Sequence, residues 1–174
     1  NEEFAGRLID LGVPCDRVRV TGNMKYDAVA VDLDPEIGPR LRAELGIGPH
    51  DPVLIGGSTH EPEEAHLLRA WAALRRDSPA LRLILVPRHP ERWSRVEDLV
   101  RIQGCRCLRR SRKEAFAPGA PAAEVLLHDT MGELRSMYAA ADVVFVGGSL
   151  IPHGGQNLLE PAALARPVVH GPHM

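Results

Sequence analysis

The sequence lacks any apolar run near the roughly 18 residues that a membrane-spanning helix needs, and it contains no leader-like pattern. Its three cysteines, Cys15, Cys105 and Cys107, are odd in number. The close pair falls in what reads as a strand and suits neither a disulfide nor a shared metal, so a reducing, cytoplasmic setting is expected. Neither sign of charge dominates. The net charge is −2, and nothing in that total points to nucleic acid. There is no G-x-S-x-G elbow, no P-loop lysine motif and no G-x-G-x-x-G fingerprint, which removes the commonest hydrolase and mononucleotide signatures. Eight histidines are present, but none falls at a convincing metal-ligand spacing; His60 and His66 lie off one helical face, and no metal is expected. No internal repeat is found.

What is present is ordinary for a globular chain: 174 residues, 44% hydrophobic and 25% charged, enough for one domain with a sizeable core. Both ends look cut. Asn1–Leu11 reads as the middle of a helix, and Arg166–His170 reads as a strand with nothing after it to cover the sheet. The expectation is a piece of a longer protein.

Strand and helix patterns alternate. Asp34-Pro35 opens a helix that Gly46 closes, with Asp34 as N-cap and Pro35 at the first position. Val53–Gly57, Leu81–Val86, Cys105–Leu108, Val125–Leu127, Val143–Val146 and Val168–His170 read as strands. Glu61–Arg76, Arg92–Gln103 and Thr130–Ala141 read as helices at 3.6-residue spacing, and Ser111–Pro121 as a Pro/Ala-rich loop. The fold class is therefore α/β, a doubly wound parallel sheet of Rossmann-like type.

Such sheets hold ligands beyond the carboxyl ends of their strands, and the loops expected there are polar. They are Gly57–Glu61, Pro87–Arg92, His128–Glu133 and Gly147–Glu160. The last is the most informative: a buried strand runs into paired glycines and then a helix start, where backbone N–H groups and a partial positive charge suit an anion. Arg88, between two prolines, is placed either to grip a phosphate or to pair with Glu91. His89 either adds a hydrogen bond or braces the loop. Thr130 and Glu133 fit a capping box, with Met131 and Gly132 in the first turn, where a close ligand would account for the glycine. Asn157 and Glu160 share that spacing, but a helix with Glu160 as cap and Pro161 first avoids losing a bond at the proline. Glu160 would then face the paired hydroxyls of a ribose. Ser58 and Thr59 repeat the small-polar pattern ahead of a Glu-Pro helix start. The basic run Arg101, Arg106, Arg109, Arg110, Arg112 and Lys113 reads as a solvated face or as a patch for an anionic membrane surface.

Seven segments in order, Thr21–Asp27, Ser58–Glu61, Val86–Arg92, Asp129–Leu134, Gly147–Pro152, Gly154–Pro161 and Gly171–Met174, resemble the C-terminal half of 3-deoxy-D-manno-octulosonic acid (Kdo) transferases. Each segment is modest, but the ordered set covers nearly the whole chain. The resemblance implies the C-terminal domain of a GT-B glycosyltransferase, with residues 1–30 as an interdomain helix and strand and 31–174 as a CMP-sugar-binding domain truncated at its C-terminus. It implies CMP-Kdo as donor and a lipid A precursor as acceptor, reached through the absent N-terminal domain, in lipopolysaccharide synthesis at the cytoplasmic face of the inner membrane. It implies no metal and no cofactor, and no catalytic residue in this half, since the family's base lies in the other domain. Pro87, Arg88, Met131, Gly132, Glu133, Gly155, Asn157, Leu158, Leu159 and Glu160 would contact the donor, with Ser58 and Thr59 lining the cleft. Arg88 and helix N-termini would stabilise the departing CMP. The fragment itself would be soluble, bind donor and not turn over.

Two positions depart from the family pattern: Gln156 stands where His is common and Leu158 where Pro is common, which removes any proton role at Gln156. Pro62 replaces a frequent Gly at a helix start. The rivals are another GT-B enzyme, such as a UDP-sugar transferase or UDP-N-acetylglucosamine 2-epimerase, and a non-catalytic nucleotide-binding module. Glu61-Pro62-Glu63-Glu64 counts against the epimerases, which carry an arginine-rich stretch there, and four convergent polar loops count against the module.

Overall fold

The computed structural model describes residues 1–22, 34–112 and 123–174. The chain divides into two compact units, Asn1–Val31 and Asp32–Met174. In the first, helix α1 (Glu2–Asp10) is capped by Asn1, whose Oδ1 accepts from the Phe4 N–H at 3.0 Å. Most of the Thr21–Asp27 motif, the expected strand around it and most of the Pro/Ala-rich loop, Lys113 included, lie outside the described residues.

The second unit is built on six strands: β1 (Val53–Thr59), β2 (Arg82–Pro87), β3 (Cys107–Arg109), β4 (Val125–Leu127), β5 (Val143–Val146) and β6 (Val168–Val169). They form one sheet in the order β3-β4-β2-β1-β5-β6, and every pairing is parallel. Helices α2 (Ile37–Glu44), α3 (Glu63–Leu74), α4 (Trp93–Ile102), α5 (Leu134–Ala139) and α6 (Leu159–Ala163) complete it.

Period-two alternation divides the core between the two faces of the sheet. Val53, Ile55, Ile84, Val86, Val144 and Val146 join Met137 and Tyr138 of α5 and Leu45 after α2 in one cluster. Leu83, Leu85, Val125, Leu127 and Phe145 join Leu67, Leu68 and Trp71 of α3 with Val96 and Val100 of α4 in the other. Strands covered on both faces read as unbroken apolar runs, which is why they were legible. The chain passes from β1 to β2 and on to the edge strand β3, steps back to β4 between them, then returns to place β5 on the other side of β1. That reversal makes the carboxyl ends of β1 and β5 the topological switch point, where an open α/β sheet leaves a crevice.

Several helix starts differ from expectation. Asp34 does accept from the Glu36 N–H at 3.0 Å, but α2 begins at Ile37, after a turn. Helix α5 begins at Leu134 rather than Thr130. Helix α6 begins at Leu159, so Pro161 is its third residue and not its first. At that position the missing N–H has no intrahelical partner to lose, which removes the objection to an early start. The basic run is in part a solvated face, with Arg101, Arg106 and Arg112 exposed, and in part an ion-pair network: the buried Glu97 carboxylate receives Arg101 at 2.6 Å, Arg109 at 2.6 Å and Arg112 at 3.3 Å, and Arg110 pairs with Glu44 at 2.8 Å. Cys105 and Cys107, two apart on one face, pack against the second core cluster, and burial pushes the Cys107 thiol up to about 11. Among the described residues no helix is long and apolar enough to cross a membrane.

Candidate functional site

Four of the polar loops do converge on the carboxyl edge of the sheet, because β1, β2, β4 and β5 are parallel neighbours. What fastens them together is a pair of carboxylates at the start of α3. Glu63 is fully buried. Its Oε2 accepts from the backbone N–H of His60 and of Gly148, both at 2.8 Å, and its Oε1 from Ser149 at 3.0 Å and Leu150 at 2.9 Å. The N–H groups of the glycine-rich loop, expected to face an anionic ligand, are thus held by an anion of the protein itself. Glu64, equally buried, accepts from the Thr59 hydroxyl at 2.8 Å and from both terminal nitrogens of Arg92, at 2.8 and 3.0 Å. Sequence reasoning missed both roles. The available signal was Glu63-Glu64 directly after a strand end, where two adjacent exposed carboxylates at a helix start are more usual than two buried ones.

The close approach of the loops explains their glycines. A Cβ on Gly147 would collide with the Ser58 carbonyl, and one on Gly57 would strike the Tyr138 ring. Ser58 itself sits in the left-handed region at φ 52°, and its hydroxyl has no partner among the described residues. Gly155 lies against the Met174 thioether, so its small size serves the chain's own packing. Gly132, at φ 83° with open space around it, serves a turn; a close ligand is not required to account for it.

The expected site residues divide accordingly. Thr59 has its hydroxyl occupied by Glu64, and Pro87 is buried at the end of β2. Arg88 is exposed, its N–H bonded to the Thr59 carbonyl at 3.0 Å. Its guanidinium has no partner among the described residues; Glu91 lies instead near His89, at 3.9 Å. Met131 is 67% exposed. Thr130 and Glu133 do not form a capping box: the hydroxyl donates to the Glu133 carboxylate at 2.6 Å. Glu133 also lies 3.8 Å from both His128 and Arg110. Asn157, one residue ahead of the N-cap Leu158 of α6, accepts from the Leu159 N–H at 3.0 Å, while its amide donates to Glu160 at 3.2 Å. Leu158 packs against the first core cluster. Burial, aided by the Glu160 carboxylate, pushes the Tyr138 phenol well above its ordinary range. Helices α5 and α6 have six and five residues, too short for the strong N-terminal dipole expected of them.

Three imidazoles meet at the switch point. His60 lies 4.4 Å from His153 and 5.3 Å from His89, centroid to centroid, and 3.4 Å from the Gln156 amide nitrogen. Burial first, and His153 next, lower its pKa from the ordinary value. Among the described residues no group of His, Cys, Asp or Glu is arranged to hold a metal ion. A separate hollow of about 370 Å³ lies at the opposite edge, by the amino ends of the strands, lined by Arg42, Asp142 and Arg166 among others. Arg42 there is fully engaged with the Ala140 and Asp51 carbonyls and with Asp142.

No family model matches the chain. It is 40% identical over 168 residues to the 3-deoxy-D-manno-octulosonic acid transferase of Haemophilus influenzae, covering 96% of this chain and 38% of that protein. Its fold superposes on the crystal structure of the C-terminal CMP-Kdo binding domain of WaaA from Acinetobacter baumannii with a TM-score of 0.69 and 34% identity, covering 87% of this chain and 72% of that one. The chain belongs to the Kdo transferase family. It spans less than two fifths of the curated Haemophilus relative and matches a C-terminal domain. A likeness to Anabaena Alr3699/HepE in complex with UDP-glucose, at 18% identity and a TM-score of 0.55 over 99% of this chain and 44% of that one, concerns the fold alone.

Proposed function

We propose that this chain is the donor-binding half of a Kdo transferase, holding CMP-Kdo at the switch point between β1 and β5. The observation that carries the reading is the unpaired Arg88 guanidinium on the crevice edge, in a chain of this family. A planar, permanently charged group suits two hydrogen bonds to a phosphate oxygen pair. As the sugar leaves, negative charge grows on the CMP phosphate, and an arginine already in place stabilises it without reorganisation. Ser58 offers a free hydroxyl beside it, and Glu160, at the start of α6, offers carboxylate oxygens to the ribose hydroxyls. Thr59, Pro87, Glu133 and Leu158 shape the crevice from behind, and the Met131–Gly132 turn and the Gly155–Leu159 segment form its other walls.

In the whole protein, Kdo passes to a lipid A precursor bound by an N-terminal domain that supplies the base, in a two-domain GT-B arrangement at the cytoplasmic face of the inner membrane. No metal takes part. Titration calorimetry of the chain with CMP, UMP and ADP tests the donor reading: CMP binds selectively, and Arg88→Ala weakens binding by about ten- to a hundredfold while circular dichroism stays unchanged. A preference for UMP moves the chain to the UDP-sugar enzymes.

A further inference from the structure

The mechanism proposed above uses one cation, Arg88, yet a CMP-linked octulosonic acid carries two anionic groups, a phosphodiester and a carboxylate. The second has no cationic partner in the set Ser58, Arg88 and Glu160. The histidine cluster lies at the same strand ends: His60 after β1, His89 after β2 and His153 in the loop after β5. Its surroundings are complete enough to weigh. Beneath His60, Glu63 is saturated by four backbone N–H groups, and Arg92 is paired with Glu64. The Glu63 charge favours a cationic His60 but is outweighed by burial, and Glu91, which is exposed, lies 3.9 Å from His89. Gln156 contributes an amide and no charge. Three imidazoles in contact cannot all be cationic, because like charges with ring centroids 4.4 and 5.3 Å apart repel. His89 and His153 are exposed and stand on the solvent side of the buried His60.

We propose that His60, His89 and His153 form a subsite for an anionic group of the donor, and that the cluster gains a proton when that group binds. The proposal rests on the donor reading above. A bound anion in contact with the rings adds to the charges of Glu63 and Glu91, so one imidazolium becomes favourable and donates a charge-assisted hydrogen bond. The shared chemistry is a monoanion with two oxygens, which either the phosphodiester or the carboxylate presents.

The test follows the histidine ring signals of the 174-residue chain by proton NMR across a pH series, with CMP, free Kdo and CMP-Kdo as probes. Assignment uses the exposed-site variants His89→Gln and His153→Gln. The proposal expects the titration midpoint of the cluster to rise with CMP-Kdo. It expects each variant to weaken CMP-Kdo binding by about tenfold, the loss of one charge-assisted hydrogen bond. A response to CMP alone places the phosphate there, and a response to free Kdo alone places the carboxylate; either supports the subsite. Calorimetric binding of CMP-Kdo with all three ring midpoints unmoved, and both variants unaffected, overturns the subsite and leaves the donor reading standing. Binding of none of the three probes overturns both.

Discussion

Glu63 and Ser149 are joined by a buried hydrogen bond of 3.0 Å across 86 positions of sequence, the serine N–H donating to the Glu63 Oε1. With its three companions it locks the loop after β1 to the loop after β5. The crevice therefore owes its shape to an internal carboxylate, and not to ligand contacts with glycine N–H groups.

Replacing Glu63 by Gln keeps the size but turns an amide NH2 toward backbone donors. A buried donor left facing donors costs about 2–4 kcal/mol. Urea denaturation of Glu63→Gln is expected to show that loss; a change under about 0.5 kcal/mol would mean the four bonds do not hold the loops.

Arg92→Met leaves the Glu64 carboxylate, with a side chain 1% exposed, without its cation. Breaking a buried pair from one side costs about 3–5 kcal/mol. The double variant Glu64→Gln/Arg92→Met recovers part of this, and a thermodynamic cycle from the four melting curves measures the coupling.

Gly147→Ala places a Cβ against the Ser58 carbonyl, backbone against backbone, where no side chain can yield. A loss of about 2 kcal/mol or more is expected from such overpacking. Ser58→Gly runs the other way, gaining up to about 1 kcal/mol by relieving its positive φ, while losing the hydroxyl proposed for the donor. Parallel melts and CMP titrations separate the two effects.

Stability also depends on His128. It is buried, its Nδ1 has no partner, and burial lowers its pKa from 6.5. The unfolded chain then binds a proton that the folded one refuses. Stability from this group is fully present above 6.5 and declines as pH falls toward the folded value. Denaturation at about pH 7.5 and about pH 5.5 should show a larger acid-side loss for the wild type than for His128→Gln; equal losses would remove His128 from the account.

The sheet was legible because its central strands, β1, β2, β4 and β5, are largely buried on both faces and so read as short apolar runs between turn residues. The convergence of the polar loops then followed from the parallel winding. The helix starts were less legible, since Thr130–Glu133 and Asn157–Glu160 bond side chain to side chain in ways that capping spacing does not distinguish. The largest gap was tertiary. That Glu63 and Glu64 turn inward, and that His60, His89 and His153 meet, depends on contacts between residues tens of positions apart. Local sequence carries no record of these.

The most direct test of the donor reading is calorimetric titration of the folded chain with CMP against UMP, repeated for Arg88→Ala. The account predicts selective CMP binding, reduced by about ten- to a hundredfold in the variant, with an unchanged melting temperature. Equal or stronger binding of UMP, or CMP binding that Arg88→Ala leaves intact, would contradict it.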